Sequence, residues 1–225
     1  GWVYEGIART QDDLDNHATQ QGANVGDCLY KDISGPDGTP DGVVDAYDQV
    51  VLGSGLPKVN FGLSTHMEYK GFDLNISTYG VLNYHVSDDI YNSLNSCYGY
   101  GNKEVGMLDA NRWSEDGSTY LSNVPRTYAA NNATLAWNDL FSSRKIQNAA
   151  YWKIANVELG YNFPDKWFGG YVSGVRLYVS AQNLYTFTGY HGYNVDYAGG
   201  TFTPGYNFCS FPSARTFMAG LHFTF

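Results

Sequence analysis

The sequence predicts an all-β chain, about six strands of a larger transmembrane antiparallel β-barrel with long extracellular loops. Three observations carry this. Apolar and polar residues alternate in repeated segments of about ten residues, the period of a strand with one apolar face. The connections between these segments alternate between short and long. The last segment, Arg215 to Phe225, runs Phe217, Ala219, Leu221, Phe223 and Phe225 against Thr216, Met218, Gly220, His222 and Thr224, and the chain stops on an aromatic. A strand closing a barrel with its outer face in lipid has this form.

Taken in order, Trp2 to Ile7 reads as the end of one strand. In Val59 to Tyr69 the odd positions Val59, Phe61, Leu63, Thr65, Met67 and Tyr69 face away from Asn60, Gly62, Ser64, His66 and Glu68. After a Lys70-Gly71 turn, Phe72, Leu74, Ile76 and Thr78 oppose Asp73, Asn75, Ser77 and Tyr79. Tyr151 to Tyr161 places Ala155, Val157, Leu159 and Tyr161 against Asn156, Glu158 and Gly160. Val175, Leu177, Val179 and Ala181 oppose Arg176, Tyr178, Ser180 and Gln182. Each segment is long enough to cross an apolar band of about 25 Å at a tilt of about 45°. Glu68, Asp73, Glu158 and Arg176 fall on the polar faces. Lys153 and Arg215 are expected on the apolar face at strand ends, where a long side chain reaches the interface.

Short connections at 70–71 and 163–174, against long ones at 8–58, 84–147 and 185–214, put the long loops outside and the final strand descending to the periplasm. Aromatic girdles are expected at both ends of the strands: Tyr69, Phe72, Tyr161, Phe163, Trp167 and Phe225 at the short turns, and Tyr79, Tyr84, Tyr151, Trp152, Tyr185 and Phe217 at the other side. About six strands cannot close a barrel, because an open edge leaves backbone groups unpaired in lipid. The reading therefore takes residues 1–225 as the C-terminal part of a barrel whose other strands lie elsewhere, most simply in the same polypeptide. The start at Gly1-Trp2, with no Met and no signal sequence, is read as that of a fragment or mature product.

Composition agrees. The 225 residues include 20 Tyr and 26 Gly, with 16% charged residues and 16% aromatic ones. No run is long and apolar enough for a membrane helix. A net charge of −9 argues against a nucleic-acid partner. Cys28, Cys97 and Cys209 are too few and scattered for a disulfide framework or zinc site.

Several stretches together resemble the C-terminal end of SusC-like TonB-dependent transporters of Bacteroidetes. They are Gly26 to Asp32, Gly53 to Pro57 followed by Phe61-Gly62-Leu63, Tyr69 to Leu74, and Arg112-Trp113 with Pro125-Arg126. Lys153 to Tyr161, Val175 to Leu184 and Pro212 to Phe225 complete the set, in the family's order over nearly the whole chain. The resemblance implies an outer-membrane barrel of roughly twenty-two strands around an N-terminal plug. It implies a SusD-like lipoprotein lid, energy from the TonB complex, and import of oligosaccharides or oligopeptides. The alternative reading from another class is a secreted, calcium-braced β-sandwich that binds carbohydrate.

Two groups of residues invite a site. Asp37, Thr39, Asp41, Val43, Asp45 and Asp48, within the Asp/Gly-rich extracellular loop 32–48, match the ligand positions of a twelve-residue calcium loop, with Gly42 at the sharp turn. Asp32 and Ser34 are further candidate ligands. Ca²⁺ would brace the loop; the same composition also suits a plain solvated turn. Arg112, Trp113, Tyr190, His191 and Tyr193, with Tyr197 and Tyr206, are candidates for ligand contact, because aromatic faces stack on sugar rings. His66 and His222 face the lumen. No nucleophile elbow, zinc-protease motif or phosphate loop is present, so no enzyme is expected.

Overall fold

The computed structural model describes residues 1–96, 102–107, 112–114, 122–127, 137–168, 172–196, 200–208 and 210–224. Phe225, Tyr197, Cys97 and Cys209 lie outside them. The described residues form ten strands: β1 (Tyr4–Ile7), β2 (Cys28–Tyr30), β3 (Val59–Tyr69), β4 (Phe72–Leu82), β5 (His85–Asp88), β6 (Ile146–Asn148), β7 (Tyr151–Phe163), β8 (Gly174–Thr188), β9 (Tyr206–Asn207) and β10 (Thr216–Thr224). Two short helices, α1 (Gln11–Asp15) and α2 (Asp89–Leu94), lie between them. The fold is mostly β, and no closed barrel forms among the described residues. The chain divides into two compact units.

One unit (55–85, 148–205 and 210–225) is built on a five-stranded antiparallel sheet in the order β10-β8-β7-β4-β3. The alternating segments predicted from sequence are its five strands. β3 and β4 pair without interruption from Tyr69 opposite Phe72 to Val59 opposite Leu82. Their register is set by the two-residue turn, in which Lys70 (φ 49°) and Gly71 (φ 89°) both take positive φ. That combination matches the strand twist, and glycine adopts it freely.

The odd-numbered face of β3, β8 and β10 is apolar and open: Leu63 is 65% exposed, Val179 50% and Leu221 58%. A face of this kind is stable in lipid and costly in water. Its two ends carry aromatic clusters. Phe72, Tyr161, Phe163 and Trp167 pack in sequence near the short turns, with centroid separations of 4.6, 4.9 and 5.8 Å. Trp152 stacks on Phe187 at 5.2 Å, and Tyr185 meets Phe187 at 4.7 Å, at the loop ends.

The opposite face is polar and tied across strands. Arg176 on β8 donates to Asp73 on β4 (2.5 and 3.0 Å) and to Glu158 on β7 (2.7 Å). Gly160 makes this possible. A Cβ there would sit 2.5 Å from Asp73 Oδ2 and 2.6 Å from Arg176 Nη2, so any larger residue would push the ends of both side chains aside. His66 joins the same face through Asn75 (2.6 Å) and Glu68 (2.9 Å).

Two sequence expectations are corrected. Tyr4–Ile7, the end of a sixth barrel strand by sequence, pairs with β2 in a separate two-stranded sheet. The second correction concerns Lys153 and the girdle. β7 carries an extra residue, Ala155, against β4, and the same residue stands opposite two unpaired residues of β8, Asn183 and Leu184. A bulge of one residue reverses which side chains face which side. Lys153, opposite Tyr79, and Tyr151, opposite Val81, therefore join the polar face, while Trp152 and Ile154 take the apolar one. Tyr84 is also buried. Tyr79, Tyr84 and Tyr151 thus leave the expected girdle.

The other unit (1–54, 86–147 and 206–209) comes mostly from the three long connections that read as polar loops. It has its own core of Cys28, Tyr30, Val44 and Trp137, flanked by Trp2, Tyr4 and Leu140. The Tyr30 hydroxyl donates to the Trp137 carbonyl. Arg126 grips the nearly buried Asp27 through two bonds of 2.7 and 2.8 Å, and Asn138 donates to the same carboxylate at 2.8 Å. The bidentate geometry and burial make this a firm clasp between segments 99 residues apart. α1 is capped by Thr10 and Asp13 in a reciprocal box.

Candidate ligand site at the loop end of the sheet

The bulge in β7 carries Lys153 to the polar face, where its ammonium pairs with Asp196 from the loop after β8. Only 4% of the Lys153 side chain is exposed, so the pair is held away from water. β8 bulges at the same level, with Asn183 at φ 52°, a conformation that Asn tolerates better than most residues. Its two extra residues preserve facing beyond the bulge, and Thr186 and Thr188 point to the same side as Lys153.

Above these residues lies a hollow of about 320 Å³, lined by Lys153, Thr188, Tyr190, Tyr193, Asp196 and Arg215 among others. A second, of about 440 Å³, is lined by Leu56, Pro57, Tyr84, Tyr151 and Asp196. Asp196 contributes to both.

The sequence-selected ligand residues separate. Tyr190 and Tyr193 share the first hollow, Tyr190 buried at its base and Tyr193 65% exposed. His191 lies between them in the chain and is exposed. Arg112 and Trp113 belong to the other unit and are buried, at 7% and 8% exposure. Trp113 packs closely enough against Gly26 to meet any Cβ placed there. Tyr206 donates to Asp89 at 2.8 Å. Sequence reading missed Lys153 and Asp196 as site residues. The signal was available for Lys153: polar Lys153 and Asn156 lie an odd number of residues apart, which strict alternation cannot place on one face.

The Asp/Gly loop uses its carboxylates on its own backbone. Asp48 is fully buried, and accepts from the N–H groups of Ile33 (2.6 Å), Ser34 (3.0 Å) and Asp45 (2.8 Å). Burial works against its charged form, but the N–H groups of Ser34, Ile33 and Asp45 outweigh it and hold the carboxyl below its ordinary range. Asp45 accepts from Tyr47 N (2.8 Å), Asp41 from Val43 N (3.0 Å) and Asp32 from Gly42 N (2.7 Å). Asp37 and Thr39 are exposed, and Val43 is partly so. Among the described residues no three acidic, His or Cys side chains gather as a metal-holding cluster. As placed, the residues do not fit a calcium ion, which needs six or more oxygens converging on one point.

No family model matches the chain. It is 28% identical, over its whole length, to the TonB-dependent receptor P3 of Formosa agariphila, of which it spans 22%. It is 26% identical over 82% of its length to the TonB-dependent receptor SusC of Bacteroides thetaiotaomicron, spanning 17% of that protein. Its fold superposes on the solved RagAB peptide transporter with a TM-score of 0.74 at 22% identity, over the whole of this chain and 22% of that one. The chain thus spans about a fifth of the length of the proteins it matches.

Proposed function

We propose that this chain, a SusC-like segment of a TonB-dependent receptor, forms barrel wall and external loops of an outer-membrane importer of nutrient oligomers. The observation that carries this is the five-stranded sheet, with one apolar face open to its surroundings and one polar face bridged by Arg176. β3 and β10 are edge strands of that sheet, and each offers a row of backbone groups to a further strand. In this reading further strands complete a barrel of about twenty-two around a plug. The TonB complex drives transport, and a SusD-like lipoprotein covers the loops. The cargo is an oligosaccharide or an oligopeptide.

A β-sandwich would cover Leu63, Val179 and Leu221 with a second sheet, and their exposure argues against it. The intact protein should fractionate with the outer membrane, require detergent for extraction and change gel migration on heating. A strain lacking it should lose growth on an oligomeric nutrient while keeping growth on the monomer. A monodisperse product without detergent, or unaltered growth on every oligomer tested, overturns the reading.

A further inference from the structure

We propose that the hollow beneath Tyr193 is a subsite for a carboxylate group on the imported molecule, with Arg215 as its anchor. This rests on the import reading and adds the chemistry of the cargo.

The walls are fixed by protein bonds alone. Asn194 donates to the Phe211 carbonyl (2.9 Å) and accepts from Asp196 N (3.0 Å). Asn183 donates to the Ala214 carbonyl (2.9 Å), and Thr188 ties Tyr190 N (3.1 Å) to the Ala150 carbonyl (2.9 Å). A site held in this way loses little entropy when a ligand arrives.

Its charges do not cancel. Lys153 is neutralised by Asp196. Arg215, which also lines the hollow, has no hydrogen bond or ion pair among the described residues. The hollow therefore carries one spare positive charge in a chain whose net charge is −9. A guanidinium presents two parallel N–H donors that match a carboxylate, and it stays charged at any physiological pH. Tyr193 at the rim adds an aromatic face for the body of the ligand. Two cargo types carry such a group: an oligopeptide with a free C-terminus or acidic side chain, and an oligosaccharide containing a uronic acid.

The test uses the intact receptor in detergent, titrated with four probes. These are N-acetyl-trialanine and its C-terminal amide, and digalacturonate and its methyl ester. At least one free carboxylate should bind roughly tenfold more tightly than its neutral partner. Arg215→Gln should abolish that difference, and Arg215→Lys should keep part of it, with heat-modifiable migration confirming a folded barrel in each. Which pair discriminates identifies the cargo type. The proposal falls if wild type binds acid and neutral forms alike or binds none of them. It falls too if Arg215→Gln keeps the full difference, or only destabilises the barrel as a lipid-interface anchor would. Growth of the deletion strain tests the import reading separately: lost growth on an oligomer together with no carboxylate preference in the titration removes the subsite and leaves the importer.

Discussion

Placing an arginine on either face of β10 tests the membrane reading directly. The strand has nine residues, which at about 3.3 Å each and a tilt of about 45° rise roughly 21 Å. Leu221 is one residue from the central Gly220, so its side chain leaves the sheet within about 3 Å of mid-height. It lies opposite Leu177 on the apolar face. Met218 is two residues from the centre on the other face, opposite Ser180. Leu221→Arg should cost about 2–4 kcal/mol, the penalty for a cation near the middle of the hydrocarbon layer. Met218→Arg enters the polar side and should cost less than about 1 kcal/mol. The assay is urea unfolding of the intact receptor in bilayers, with the folded fraction read from heat-modifiable migration. Equal losses for the two variants would refute the assignment of faces, and with it the barrel.

Other residues give further tests. Gly160→Ala should cost about 1–3 kcal/mol by displacing Arg176 from Asp73, whereas Gly62→Ala, where a Cβ meets nothing closer than 3.5 Å, should change stability by less than about 1 kcal/mol in the same urea assay. Arg126→Met leaves Asp27 buried with its amide partners only; because Arg126 is 38% exposed, the expected loss is about 1–3 kcal/mol, read as faster proteolysis of the loop unit. The Asp48 carboxyl is depressed on folding, so its stabilisation is present above the unfolded value near 4 and disappears as pH falls through the lower folded value. Cleavage near residues 32–48 should therefore rise on going from about pH 4 towards pH 2. Asp48→Asn should already be more easily cleaved at neutral pH and should lose that share of the acid dependence. Chelation of calcium should leave cleavage unchanged; a clear increase would show that the loop rearranges around an ion.

Sequence determined the five-stranded sheet of this protein and little of its second unit. β3, β4, β7, β8 and β10 were legible because alternation is local: each side chain's side follows from its position in the strand. The Lys70-Gly71 turn was legible for the same reason, since glycine permits the backbone there. The loop unit was not. Its core joins Cys28 and Tyr30 to Trp137, more than a hundred residues apart, through strands of only three or four residues that leave no periodic trace. In the Asp/Gly loop acids spaced three apart suit a helix cap as well as a metal, and only the fold shows Asp45 and Asp48 capping backbone N–H groups. The bulge at Ala155 shows the division within one strand. Alternation placed Asn156, Glu158 and Gly160, but one unpaired residue, fixed by register against two neighbouring strands, decided that Lys153 lies with Asp196 and not on the apolar face.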